Sequence, residues 1–157
     1  MRMQKEIAIG LAFALGACVS GGGAPPPLTP LAGDHEQPAL ALFEHVLTGY
    51  FAGAGASGPT ACARFSPTPL SAEQERALIA RFVRLAPAER CVTGAQGPID
   101  AITGEPAQVV QLYEFACQGT ELCSGWVTTP GAPATRYAMR FEGGAWRFDS
   151  DRRIVAE

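Results

Sequence analysis

The sequence predicts an α+β domain in which two N-terminal helices pack on a four-stranded antiparallel β-meander. Two early segments have apolar residues at steps of three and four, and four later segments alternate apolar with polar residues. Helices with one apolar face bury it by packing on the apolar side of a twisted sheet. With 157 residues, 47 % of them hydrophobic in type, the chain is long enough for one such core.

Both predicted helices have recognisable start or stop signals. The first is expected over residues 38–51, because Pro38 suits a first helical turn. The second begins after Ser71, whose spacing from Gln74 is that of a capping box, and Pro87 is expected to stop it. The apolar stripes are Leu40, Phe43, Leu47 and Tyr50 in the first helix and Leu78, Ile79, Phe82 and Leu85 in the second.

Four strands are expected after the helices. Their ranges are 108–117, 122–129, 135–142 and 145–151. Gly143-Gly144 is typical of a two-residue hairpin turn, because glycine readily adopts the positive φ that such turns require. That turn sets the register of the last hairpin.

The expected register of the last hairpin gives its two sides different chemistry. The pairs on the apolar side are Phe141 with Trp146 and Met139 with Phe148. The other side carries Arg136, Arg140, Glu142, Arg147, Asp149 and Asp151. Arg140 faces Arg147 there, which is unfavourable unless neighbouring carboxylates compensate the two charges. Such a mixed-sign face is typical of a solvated sheet surface.

This order of helices and strands is similar to that of cystatin-like and nuclear-transport-factor-like folds, and of small helix-helix-sheet lipoproteins of outer-membrane assembly. The likeness implies a fold and no function, because no motif accompanies it. If the sheet curls as in cystatin-like folds, aromatic rings would line an apolar pocket between sheet and helices. The candidate pocket residues are Tyr113, Trp126, Tyr137 and Trp146. Core packing is the alternative role for these rings.

The N-terminus has the organisation of an export signal. A short basic stretch precedes apolar residues 7–15, which are too few for a bilayer span of roughly 20 residues. The next motif, Leu15-Gly16-Ala17-Cys18, resembles the lipobox of bacterial lipoproteins in all four positions. The alternative is an ordinary signal peptide with a chance cysteine at its cleavage point.

The lipobox resemblance implies a lipid anchor. In that family the chain is cut before the cysteine, so residues 1–17 would be removed and Cys18 would carry diacylglycerol and an acylated amino group. Several acyl chains give stable membrane attachment. Because Val19 follows the cysteine, rather than the aspartate that retains lipoproteins in the inner membrane, the resemblance favours the outer membrane, with the domain facing the periplasm.

Glycine and proline dominate the start of the mature chain. Residues 18–36 are therefore expected to be the lipidated N-terminus and a flexible tether. Residues 37–157 are expected to form a single disulfide-bonded domain.

Four further cysteines follow the lipobox. An even number in an exported chain predicts two disulfides. The preferred pairing is Cys117 with Cys123, across a five-residue hairpin loop, and Cys62 with Cys91. Zinc is the competing hypothesis, but its thiolate sites usually contain two closely spaced Cys-x-x-Cys pairs. We therefore expect no metal site. The pairing of Cys117 with Cys123 also sets the register of that hairpin, in which Tyr113 lies opposite Val127.

Composition excludes several classes of chemistry. The formal charge of -3 gives no basic patch for nucleic acid. No lysine follows Lys5, so the mature chain cannot use a P-loop lysine, a Schiff-base lysine or a Ser-Lys dyad. Part of this bias is what a GC-rich genome would produce.

No catalytic motif is present in the sequence. His35 and His45 are the two histidines, and a solvated or packed role is the more common one for isolated histidines. There is no Gly-x-Ser-x-Gly elbow, and Asp149-Ser150-Asp151 offers few ligands for calcium. We expect no catalytic residue and no cofactor.

Three functional hypotheses remain from the sequence. The favoured one is a non-catalytic, lipid-anchored periplasmic domain that binds a protein or another part of the envelope. The second is a small-ligand binding module with the aromatic pocket described above. The third is an enzyme that uses His45 or carboxylates without a motif.

Overall fold

The structure, a computed structural model, describes residues 27–54 and 58–151. The predicted signal peptide and Cys18 lie outside these residues. The main elements are α1 (Pro38–Ala54), β1 (Thr60–Phe65), α2 (Ala72–Ile79), β2 (Leu85–Ala86), β3 (Cys91–Gly94), β4 (Gly97–Asp100), β5 (Ala107–Gln118), β6 (Leu122–Thr128), β7 (Thr135–Glu142) and β8 (Ala145–Asp151). Short 3-10 helices occupy Leu31–Gly33 and Ala88–Arg90.

Six of the strands form one mixed sheet in the order β2-β1-β5-β6-β7-β8, and β3 and β4 form a separate hairpin. β1 pairs in parallel with both β2 and β5, whereas β5 to β8 are antiparallel neighbours. The predicted fold of two N-terminal helices on a four-stranded meander is therefore wrong. β1 lies between the helices in sequence, and the meander is only one part of a larger sheet.

Strand β1 has no alternating pattern because both of its faces are buried. Ala61, Cys62 and Ala63 are each at most 3 % exposed. Ala61 and Ala63 belong to the main core, whereas Cys62 belongs to a second apolar cluster. A strand covered on both sides loses the period of two by which strands are recognised.

Helix α2 begins as predicted and ends early. The Ser71 hydroxyl accepts the Gln74 backbone N–H at 3.2 Å, and the Gln74 side chain accepts the Ser71 N–H at 2.9 Å, which confirms the capping box. The helix ends at Ile79 and not near Pro87. The apolar stripe did not show this end, because Leu85 belongs to β2 in the sheet and not to the helix.

The main core lies between the helices and one face of the six-stranded sheet. Its largest fully buried side chains include Phe43, Leu42 and Leu47 of α1, Leu78 of α2, and Trp146 of β8. Within the described residues, no helix is long and apolar enough to cross a membrane.

The register of the last hairpin is confirmed. Gly143 and Gly144 have φ values of 61° and 77°, as the two-residue turn requires. The observed pairs include Phe141 with Trp146, Met139 with Phe148, and Arg140 with Arg147.

The register of the β5–β6 hairpin is as predicted next to the loop, where Cys117 lies opposite Cys123, and differs from the prediction farther along the strands. Tyr113 lies opposite Trp126 and not opposite Val127. The cause is an irregularity between Tyr113 and Ala116, where Glu114 has a φ of 48°. A bulge adds a residue to one strand, so a register counted from the hairpin loop slips by one position.

We call the side of the sheet away from the helices the outer face, and it has two halves. The covered half lies beneath the β3–β4 hairpin, with an apolar cluster at the contact. That cluster comprises Cys62, Ala86, Cys91 and Ala107. The open half comprises the outward side chains of β6, β7 and β8 and the adjoining end of β5, and these are largely exposed.

Candidate functional site

Both predicted disulfides are present in the structure. Cys62 is joined to Cys91, 29 residues away in sequence, with a Cα–Cα distance of 6.2 Å. Cys117 is joined to Cys123, six residues away, with a Cα–Cα distance of 4.0 Å. The first bond attaches the β3–β4 hairpin to β1, and the second closes the β5–β6 hairpin.

Asp100, at the end of β4, is the one fully buried carboxylate among the described residues. One of its oxygens, Oδ1, accepts Arg90 Nε at 2.7 Å and the Ile102 N–H at 3.0 Å, and Oδ2 accepts the Thr60 hydroxyl at 2.9 Å. The bond from Arg90 holds the pKa of Asp100 well below its usual range, and the same contact raises the pKa of Arg90. Nothing in the sequence distinguished this aspartate. Its contacts hold the β3–β4 hairpin to β1.

The four aromatic residues expected in one pocket lie on opposite faces of the sheet. Trp146 is 2 % exposed in the main core, and its indole N–H donates to the Asp34 carbonyl at 3.0 Å. Tyr137 packs against the same core. Tyr113 and Trp126 are paired on the outer face instead. These residues therefore do not form a single pocket between sheet and helices.

The open half contains a shallow hollow of about 390 Å³. Ala116, Ser124 and Ala138 are neighbours across β5, β6 and β7, and their short side chains form its floor. The rim is formed by Gln118, Leu122, Arg140, Glu142, Arg147 and Asp149. Leu122 is 45 % exposed there, so the rim combines an apolar side chain with charged ones.

The charges around the hollow are unevenly partnered. Arg140 lies opposite Arg147 and forms a salt bridge with Glu142 at 3.0 Å. In the part of the chain that the structure describes, neither Arg147 nor Asp149 has a salt-bridge partner. The hollow therefore offers a free guanidinium and a free carboxylate, and it can bind a polar or charged group. The carboxylate of Glu142 therefore compensates one charge of the arginine pair, as the sequence predicts.

His45 lies in a second depression, a groove of about 640 Å³ between α1, the segment that follows α2, and β8, and we call it the helix-side groove. Its ring stacks on Phe148 with centroids 4.3 Å apart, and Tyr137 approaches edge-on at 5.8 Å. Burial of part of the ring lowers the pKa of His45, so the neutral form is favoured near pH 7. The stacking is a packing role for His45.

The carboxylate beside His45 serves another purpose. Glu44 accepts Arg81 Nε at 2.7 Å and the Leu31 N–H at 2.6 Å. Arg81 also donates to the Thr29 carbonyl at 2.6 Å. We call this set of bonds the N-terminal clasp, because it joins the start of the described chain to α1 and to Arg81, which follows α2.

The segment after the clasp also packs on the domain. Leu31 is 9 % exposed and belongs to the main core. His35 Nε2 donates to the Thr120 carbonyl at 2.7 Å, and its ring lies 4.4 Å from that of Phe141. Residues 29–36, expected to be part of a flexible tether, are thus attached to the domain.

Neither a metal site nor a likeness to a known protein points to the chemistry of this domain. Residues 27–54 and 58–151 contain no group of three or more His, Cys, Asp or Glu side chains placed to hold a metal ion. No protein-family profile, curated protein or solved structure matches this chain. The function must therefore be argued from the residues of this molecule.

Proposed function

We propose that this protein is a lipid-anchored domain of the bacterial envelope that binds a partner, either a protein or another envelope component, through the open half of its outer face. The anchor is a lipid on Cys18, and the domain faces the periplasm, most simply from the outer membrane. The role is one of binding and not of catalysis. The observation that carries the binding proposal is the exposed hollow, with its floor of short side chains and its rim of apolar and charged ones.

The N-terminal clasp supports the anchoring part of the proposal. It bonds the Thr29 carbonyl to Arg81, which follows α2, so about ten residues separate the lipidated Cys18 from the packed domain. Ten residues of any composition reach at most about 33–36 Å when fully extended. The domain would stand close to the membrane with a fixed exit point for its tether.

The two disulfides support an exported location. Such bonds persist in oxidising compartments and are rare in the cytosol. In this molecule each one joins segments that are also paired or packed in the fold. The disulfides and the proposed export signal, which ends in the lipobox, therefore both favour a location outside the cytosol.

The anchor is tested by metabolic labelling with a fatty-acid probe. The wild-type chain should be labelled and should fractionate with membranes, and the Cys18→Ala chain should not be labelled. Equal labelling of both chains would contradict the anchor, whatever the domain binds.

The binding surface is tested by co-purification from lightly crosslinked envelopes. Ala138→Leu fills the floor of the hollow without touching the core, because Ala138 is exposed. We expect the variant to recover less of the partner than wild type. Ala132→Leu, a similar change on an exposed loop residue, is the matched control and should bind normally. Equal recovery with Ala138→Leu would show that the hollow is not the contact.

A further inference from the structure

Strand β8 is an edge of the six-stranded sheet. The turn at Gly143-Gly144 makes Glu142 and Ala145 a hydrogen-bonded pair, and such pairs alternate along an antiparallel ladder. The N–H and C=O groups of Ala145, Arg147 and Asp149 therefore point towards β7. Those of Trp146, Phe148 and Ser150 point to the free side.

On the free side of β8 the backbone N–H and C=O groups have no hydrogen-bond partner among the described residues, and the 3-10 helix Leu31–Gly33 packs against the same strand. Within the described part of the chain, Trp146, Phe148 and Ser150 make no backbone hydrogen bond to a loop, turn or helix. The strand contains no proline, which would block an edge. An edge of this kind is a template for another strand.

We propose that β8 is a self-association surface on which a second copy of this chain pairs through its own β8, antiparallel and with Phe148 opposite the partner's Phe148. The backbone pattern allows this register, because the three residues with free N–H and C=O groups then face one another. Trp146 pairs with the partner's Ser150, and the two sheets become one continuous sheet of twelve strands.

Charge selects this register over its neighbours. It places Arg147 opposite the partner's Asp149, and by symmetry this attraction occurs twice. Both side chains are exposed and lack a salt-bridge partner among the described residues. The next registers that keep the backbone pattern differ by two residues. One faces Arg147 with the partner's Arg147, and the other faces Asp149 with the partner's Asp149, so both are repulsive.

The pairing also covers apolar surface beside the edge. Phe148 is half-buried and lines the helix-side groove, together with Pro30, Ala32 and Ala41. The two-fold axis passes beside Phe148, perpendicular to the sheet, and therefore brings the two grooves next to each other on one side.

The same symmetry suits a common membrane. The axis keeps the helices and the N-terminal clasps of both copies on the same side of the joined sheet. Both tethers could then reach one bilayer, and this step alone rests on the proposed anchor. The pairing itself does not require the lipid.

The register is tested by disulfide trapping between two differently tagged full-length chains, Arg147→Cys and Asp149→Cys, expressed together. The two cysteines would face each other at a non-hydrogen-bonded pair, where disulfide geometry can be met. We expect a disulfide between chains that carry different tags and little between chains that carry the same tag. The same result is expected in a Cys18→Ala background at equal concentration. Arg140→Cys with Glu142→Cys, on the interior strand β7, is the control and should give no trapped dimer. Absence of the mixed disulfide would overturn the proposal.

The charge argument is tested by co-purification of two tagged full-length copies. Arg147→Asp and Asp149→Arg should each lower recovery about tenfold, because two attractions become two repulsions. The double variant R147D/D149R exchanges the charges and should restore recovery, whereas Arg136→Asp on β7 should have no effect. Failure of the double variant to restore pairing would overturn the proposal. The proposal would also be overturned if the tagged copies never co-purify, a different protein is captured instead, and Ser150→Pro abolishes that capture.

Discussion

The covered and open halves of the outer face belong to one sheet, but the charged side chains near them differ in burial and in how they are bonded. In the covered half, the buried Asp100 has each of its oxygens bonded inside the protein. In the open half, Arg147 and Asp149 are exposed without salt-bridge partners among the described residues. Charges that hold the fold are buried and fully bonded. Charges left exposed around a hollow are available to another molecule.

The largest expected effect is loss of the disulfide that closes the covered half. Replacing both Cys62 and Cys91 with serine should lower the free energy of unfolding by about 3.5 kcal/mol, because the bond closes a loop of 29 residues. Urea unfolding of the purified variant measures this loss. A change below about 1 kcal/mol would show that the hairpin is held by its other contacts.

Asp100→Asn should have the next largest effect. It keeps the shape of the side chain but weakens the contact with Arg90, and the melting temperature should fall by about 5–10 °C. The folded state lowers the pKa of Asp100, so its stabilisation is present above the unfolded pKa of about 3.9 and is lost as the pH falls below it.

Thermal melts between pH 3 and pH 7 test this account of Asp100. Wild type should lose stability below about pH 4, and Asp100→Asn should show a shallower dependence. Glu121→Gln, at an exposed carboxylate in the loop between β5 and β6, is the control and should follow wild type. Identical pH profiles for Asp100→Asn and wild type would contradict the role of the buried carboxylate.

The disulfide of the open half should matter less than that of the covered half. Replacing Cys117 and Cys123 with serine releases a loop of only six residues, so we expect a loss of about 2 kcal/mol by urea unfolding. A loss larger than that of the Cys62 and Cys91 variant would reverse the comparison between the halves.

The smallest effect on stability should come from the hollow. Arg140→Ala removes an exposed salt bridge, and such changes usually stay within about 0.5 kcal/mol. The same variant should reduce partner recovery from envelopes, because it removes a cation from the rim. A large loss of stability with unchanged recovery would assign Arg140 to the fold and not to binding.

The elements that the sequence predicts well are those defined by local signals. The β7–β8 hairpin follows from its diglycine turn, and the start of α2 follows from Ser71 and Gln74. The sequence does not indicate β1, because Ala61 and Ala63 on one face and Cys62 on the other are all buried and leave no period, and because its partners β2 and β5 are distant in sequence. The two parallel pairings of β1 are the reason the predicted meander is incomplete.

The candidate site was predicted in part. The row of alternating charges on β7 and β8 and the arginine pair are as the sequence indicated. The hollow was not predicted, because its floor combines Ala116, Ser124 and Ala138, and the bulge in β5 decides where Ala116 lies. The aromatic pocket was wrong because Tyr113 and Trp126 lie on the outer face, whereas Trp146 fills the core.

The proposed function requires that the open half contacts another component of the envelope. The most direct test places a photo-crosslinking residue in the full-length chain, at Ala138 in the hollow or at Val92 on the exposed side of the β3–β4 hairpin. Illumination of intact envelopes should give crosslinked adducts at Ala138 and none at Val92. Adducts at both positions alike, or at Val92 alone, would contradict the account.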